Sequence, residues 1–217
     1  MLLLINICLG LCLLGALSLV VTGRGFNKAL GQREWILCFI SFSLSLSSLY
    51  LRLNDAYLAS VLFGHFFQFV GYYLLGLGAL RYLGHDFKDH WVMVIFLVLH
   101  LGLMTLLSVE DNFLNARLAV VAFVAGTFSL GITLFFRNFS KNRNFAETGF
   151  MYLYGFHAAF SFCKGILNLV DHDRVGLFSR TFVSQVTFYE YVILTIGMII
   201  FLNVMVHQQI KTQHVEK

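Results

Sequence analysis

The chain has 217 residues, of which 59% are hydrophobic and only 12% charged, and it carries a formal net charge of +4. A soluble domain has about twice that share of charge, so composition excludes a water-soluble fold and points to a membrane protein. No basic patch exists to hold a nucleic acid, and the absence of proline leaves Gly or Ser as the means of bending a helix.

The first predicted element is residues 2–22. This apolar run has no positively charged leader and no small residue before Cys12 (Leu11 stands there), so it reads as a retained membrane span and not as a cleaved signal. Further runs of the roughly 20 apolar residues needed to cross the hydrocarbon follow at 35–51, 58–83, 91–108, 116–136, 148–170 and 187–207. The expected fold class is therefore all-α, a polytopic bundle of seven transmembrane helices over residues 1–207 with a short cytoplasmic tail at 208–217. Cys8, Cys12, Cys38 and Cys163 lie inside apolar runs without paired spacing. They read as buried hydrophobes, not as a disulfide framework or zinc site.

Basic residues between the runs set the orientation. Arg24, Lys28, Arg33, Arg81 and Lys88, then Arg137, Lys141, Arg143, Lys211 and Lys217, fall on one side. The other side has Arg52, Arg117, Arg174 and Arg180, with Asp55, Glu110, Asp111, Asp171, Asp173 and Glu190. The N-terminus is thus expected outside and the C-terminus in the cytoplasm. The sequon Asn138-Phe139-Ser140 then lies on the cytoplasmic side, where it stays unused.

Small residues mark the expected helix contacts. Gly64, Gly71 and Gly78 share one face of the third span; Ala119, Ala122, Gly126, Ser129 and Thr133 share one face of the fifth; Ser41, Ser45 and Ser48 share one of the second. Phe201 reads as lipid-facing.

The sixth span carries Tyr154, His157, Ser161, Lys164, Asn168 and Asp171 at gaps of 3, 4, 3, 4 and 3. Such spacing keeps polar groups on one face. Charge in a membrane costs ~2.5–3.5 kcal/mol on insertion scales and turns towards the bundle or a wet cavity. Glu190 is the expected partner of Lys164, with Asp55 second, and the third span adds His65, Gln68 and Tyr72. The reading is an outward-opening polar cavity that binds an unidentified ligand between the third, sixth and seventh spans. A structural Lys164–Glu190 pair with interhelical hydrogen bonds is the plain alternative, and a proton or ion path is the third.

Other chemistries are argued down. Proton pumping needs carboxylates at mid-membrane, and every acid here falls in a loop, in the tail or near a span end. Metal chemistry needs clustered ligands, and bis-histidine haem has only His100 and His157 on separate helices. A retinal protein would need a buried lysine in the last span. Asp171-His172-Asp173 reads as a solvated loop rather than a cation site. No cofactor, metal or catalytic set is expected.

Short loops, an outside N-terminus, and the stretch Leu77-Gly78-Ala79-Leu80-Arg81-Tyr82-Leu83-Gly84 ending a Gly-rich third span characterise the layout. With Asn115-Ala116-Arg117 leading into the fifth span, it resembles the seven-span sensor regions of bacterial diguanylate cyclases (GGDEF proteins) over roughly residues 30–206. No cyclase is expected within these 217 residues, which are either the membrane part of a longer protein or a stand-alone relative working through partners. The resemblance implies signal reception in a bacterial inner membrane, without catalysis in this chain and through cytoplasmic or membrane protein partners. A non-catalytic assembly subunit of a larger membrane complex is the second reading, and a transporter the third.

Overall fold

The computed structural model describes residues 2–23, 29–54, 56–109, 113–140, 143–170 and 182–215, side chains excepted at 53–54, 182–185 and 213–215. The described residues form α1 (Leu2–Thr22), α2 (Gln32–Ser47) continued by a 3-10 turn (Ser48–Asn54), α3 (Tyr57–Tyr82), α4 (His90–Leu106), α5 (Leu114–Phe139), α6 (Phe145–Val170) and α7 (Phe182–Val215). Among the described residues, five helical stretches are long and apolar enough to cross a membrane. The 17-residue α4 is too short for that class, and the polar stripe lowers the hydropathy of the 26-residue α6.

Contacts between helices run α1–α2–α3–α5–α6–α7 and back to α1, so six helices close a ring, and α4 packs on α3 outside it. The ring closes through polar groups. Thr22 donates to Asn203 Oδ1 at 2.6 Å, and Asn203 Nδ2 donates to Ser18 Oγ at 2.9 Å. Helix α4 buries only His100 and Met104 and exposes Trp91, Val94, Phe96 and Val98. The upper end of the bundle is where α1, α3, α5 and α7 begin; the lower end is where they finish.

The small-residue faces work as contact seams. A Cβ added at Gly64, Gly71 or Gly78 would fall 2.7 Å from Ser48 Oγ, 2.6 Å from Phe42 Cε1 or 2.5 Å from Trp35 Cδ1. All three obstacles belong to α2 or its 3-10 continuation. Gly31 is tighter still: its φ is +79°, and its Cβ would lie 2.2 Å from the carbonyl oxygen of Gly78. An L side chain rarely adopts that backbone, so backbone meets backbone here only because both residues are glycine. Ser45 Oγ donates to Gly64 O at 2.8 Å, while Ser48 Oγ reaches both Ser45 O and Ser60 O. On α5, Ala119, Ala122 and Ser129 are buried, and Gly126 faces Phe162 of α6. Phe201 does not face lipid as expected. It lies over Gly149, whose Cβ would come 2.4 Å from its ring, because a residue without a side chain leaves room for one from the next helix.

The lower end is tied by buried polar groups. Asn144 Oδ1 accepts from Glu147 N at 2.9 Å, closing the start of α6 in the manner of a capping box. The Glu147 carboxylate accepts from Tyr82, Ser140 and Asn144, and Arg81 pairs with Glu34. Helix α7 does not stop at 207 but continues to Val215. Its Gln209 accepts from Leu30 N at 2.8 Å and donates to Tyr82 O at 3.4 Å, which gives those extra turns a packing partner.

Candidate functional site

Halfway along α6, His157 points into the bundle and is 2% exposed. Its Nδ1 contacts the carboxylate of Glu190 on α7. Its Nε2 lies 3.2 Å from the hydroxyl of Tyr72 on α3. Glu190 and Tyr72 are buried as well, so three helices meet at a carboxylate–imidazole–phenol chain. A neutral imidazole donating from Nδ1 accepts the Tyr72 proton at Nε2; a protonated one donates at both nitrogens. Either state satisfies the carboxylate, as burial demands.

This arrangement corrects two expectations. Lys164 is not the ion-pair partner of Glu190; His157 is. The cause is the antiparallel register of α6 and α7. Leu153 packs over Gly197 and Phe201 over Gly149, so His157 comes level with Glu190, and Lys164 stands two turns nearer the upper end. Secondly, Glu190 is not an end-of-span acid, because its carboxylate lies at the midpoint of α6. A buried carboxylate at that depth is what the exclusion of proton chemistry assumed to be missing.

Beside the chain is a cavity of about 180 Å³ at the upper end, bordered by α1, α2, α3, α5, α6 and α7. Of the expected site residues, His65, Gln68, Tyr72 and Lys164 line it. Gln68 Nε2 donates to Tyr191 Oη at 3.4 Å, and Lys164 Nζ is 5.9 Å from the Tyr191 ring centre. Gln68, Tyr72 and Tyr191 therefore form a wall between cavity and buried chain. His65 Nδ1 is buried without a hydrogen-bond partner, and His100, weighed as a haem ligand, meets the His65 and Phe69 rings at 5.7 and 5.8 Å.

The other expected residues lie elsewhere. Ser161 and Asn168 are buried but do not line the cavity. Tyr154 joins the hydrophobic core beside Phe150, its hydroxyl buried without a partner. Asp55, Asp171, His172 and Asp173 lie outside the described residues. Two lining residues were missed: Arg52 and Arg117, counted as charges of the outer loops. Both guanidinium carbons sit 5.3 Å from the Tyr57 ring centre, so the two cations share one aromatic ring. Arg52 Nε donates to Ser60 Oγ and Arg117 Nη1 to Ser108 Oγ, each at 3.1 Å. The available signal was position. Arg117 is the fourth residue of an apolar helix, where a cation must snorkel out or find a cavity.

Among the described residues, no group of three or more His, Cys, Asp or Glu side chains is placed to hold a metal ion. Comparison with protein-family models, with curated proteins and with solved structures finds no match to this chain.

Proposed function

We propose that the chain is a seven-span receptor module of a bacterial inner membrane, its N-terminus outside and its C-terminus in the cytoplasm. It receives a signal in the cavity at the upper end and passes it to cytoplasmic or membrane partners. One observation carries the reading. The cavity borders the buried Glu190–His157–Tyr72 chain through a wall of Gln68, Tyr72 and Tyr191, with Tyr72 belonging to both, and α7 runs unbroken from there to Gln209 at the lower end. A change of cavity content thus bears on a helix that reaches the far side. The 34 residues of α7 extend ~51 Å at 1.5 Å per residue, well beyond a hydrocarbon core of ~30 Å.

The test uses spin labels at Asp86 and Lys211 in a background with the native cysteines replaced by alanine, reconstituted in nanodiscs. Val121→Trp fills the cavity from α5 and should shift the distance distribution between the labels. Ile193→Trp, on an exposed face of α7, should not. An unchanged distribution in the filled variant removes the coupling.

A second reading, an assembly subunit of a membrane complex, draws on α4. Its apolar outer face and a groove of about 700 Å³ between α3, α4 and α5, lined by Phe69, Leu80, Phe96, Leu103 and Phe128 among others, suit a partner helix or lipid chains. Isolation from native membranes separates the two: an assembly subunit copurifies with its complex, and its deletion lowers the level of the partners.

A further inference from the structure

Arg117 and Lys164 reach one small cavity from α5 and α6, and no aspartate or glutamate lines it among the described residues. Glu190, the described acid nearest by position, is engaged by His157. Arg117 is 5% exposed, and among the described residues its guanidinium, with five N–H donors, finds one hydrogen-bond acceptor, Ser108 Oγ. Like charges gathered in a poorly solvated space repel and invite a counter-charge. The unpartnered Nδ1 of His65 adds a further polar group on the same wall. The remaining lining is apolar, with Phe42, Leu46, Val61, Phe188, Leu194 and Met198.

From this we propose that the cavity binds a small organic carboxylate, its anionic head between Arg117 and Lys164 and its apolar body against the α2 and α7 side chains. The inference rests on the receptor reading and gives it a ligand class. Volume limits the body: an apolar cavity of ~150 Å³ admits benzene, so about 180 Å³ suits a benzoate or a six-carbon acid. A guanidinium binds a planar carboxylate through two parallel N–H bonds, which an ammonium cannot imitate.

The experiment titrates 4-fluorobenzoate into the full chain in phosphatidylcholine nanodiscs, with binding read from the fluorine NMR linewidth and hexanoate as competitor. Saturable broadening, reversed by hexanoate but not by hexanol or hexylamine, is the expected result. Arg117→Gln and Lys164→Met should each weaken binding by about tenfold or more, and Arg117→Lys should retain less affinity than wild type. Val121→Trp should abolish binding with every charge intact, and Ile193→Trp should leave it unchanged, so loss through misfolding is recognised. Absence of saturable broadening in the wild type, equal competition by hexanol or hexylamine, or full binding by both charge variants would overturn the assignment. Loss of binding in nanodiscs rich in phosphatidylglycerol would overturn it in favour of a lipid headgroup. Carboxylate binding without a shift in the Asp86–Lys211 distance would keep the site and remove the receptor reading; a shift in Val121→Trp without carboxylate binding would do the reverse.

Discussion

Glu190 and His157 face each other across α6 and α7 at the midpoint of the bundle, and Tyr72 closes the far side of the imidazole. Removing one member of a buried pair leaves the other without compensation, at ~3–5 kcal/mol. Glu190→Gln and His157→Leu should each approach that cost in SDS-titrated unfolding. Combining His157→Leu with Glu190→Gln should cost clearly less than the sum. A matching cycle between Lys164→Met and Glu190→Gln should be close to additive, because these residues are not in ion-pair contact. Strong coupling in the second cycle and none in the first would return Lys164 to the partner role.

Tyr72→Phe removes one hydroxyl from the chain and leaves the packing. Interhelical hydrogen bonds in membranes are worth about 0.6 kcal/mol on average, so a loss of ~0.5–1.5 kcal/mol is expected. The same unfolding measurement checks it. A loss as large as that of His157→Leu would mean that Tyr72 acts through something other than this bond.

Close approach at glycine gives a graded series. Gly31→Ala should be the worst, since it combines a positive φ with a backbone obstacle. Gly71→Ala comes next, where the obstacle is the Phe42 ring at 2.6 Å, and Gly126→Ala is mildest, with Phe162 at 3.2 Å. Overpacking costs ~1–3 kcal/mol. Ile193→Leu, on an exposed face, should be nearly silent. Thermal unfolding in detergent ranks the four, and equal stability of all would mean the seams are not tight contacts.

The proposed orientation is checked in intact cells with single cysteines at Ser140 or Arg174 in the cysteine-free background. A membrane-impermeant thiol reagent should label position 174 and spare position 140. Labelling at 140 alone would invert the topology, and with it the direction in which the cavity opens.

The helices were legible because a span needs a long apolar run, and each expected run coincides with a described helix, five of them long and apolar enough to cross a membrane. Where neighbours decide the ending, a run of residues gives less warning. The last turn before Asn54 tightens to 3-10 geometry, and α7 gains turns through Gln209. The stripe on α6 was legible as a face but not as a single environment. Spacing of 3 and 4 has a period of 3.5, and a helix turns every 3.6, so the face drifts about 20° per heptad. Tyr154 accordingly ends in the hydrophobic core, His157 against α3 and α7, and Lys164 in the cavity. The Glu190 pairing depends on how far two antiparallel helices slide past each other, which residues on one helix cannot report. Arg52 and Arg117 were hidden by counting: a tally of charges between spans assumes that each one faces water.

Closure of the ring between α1 and α7 also fixes an order of events during synthesis. The Thr22–Asn203 and Ser18–Asn203 bonds join residues more than 180 positions apart, so α1 waits for α7. Non-local closures of this kind come late in folding. Until α7 arrives, His157 has no carboxylate partner, and the flank of α1 that will pack on α7 is unsealed. A nascent chain stalled before α7 therefore leaves Ser18 and Thr22 on an unsealed polar flank of α1.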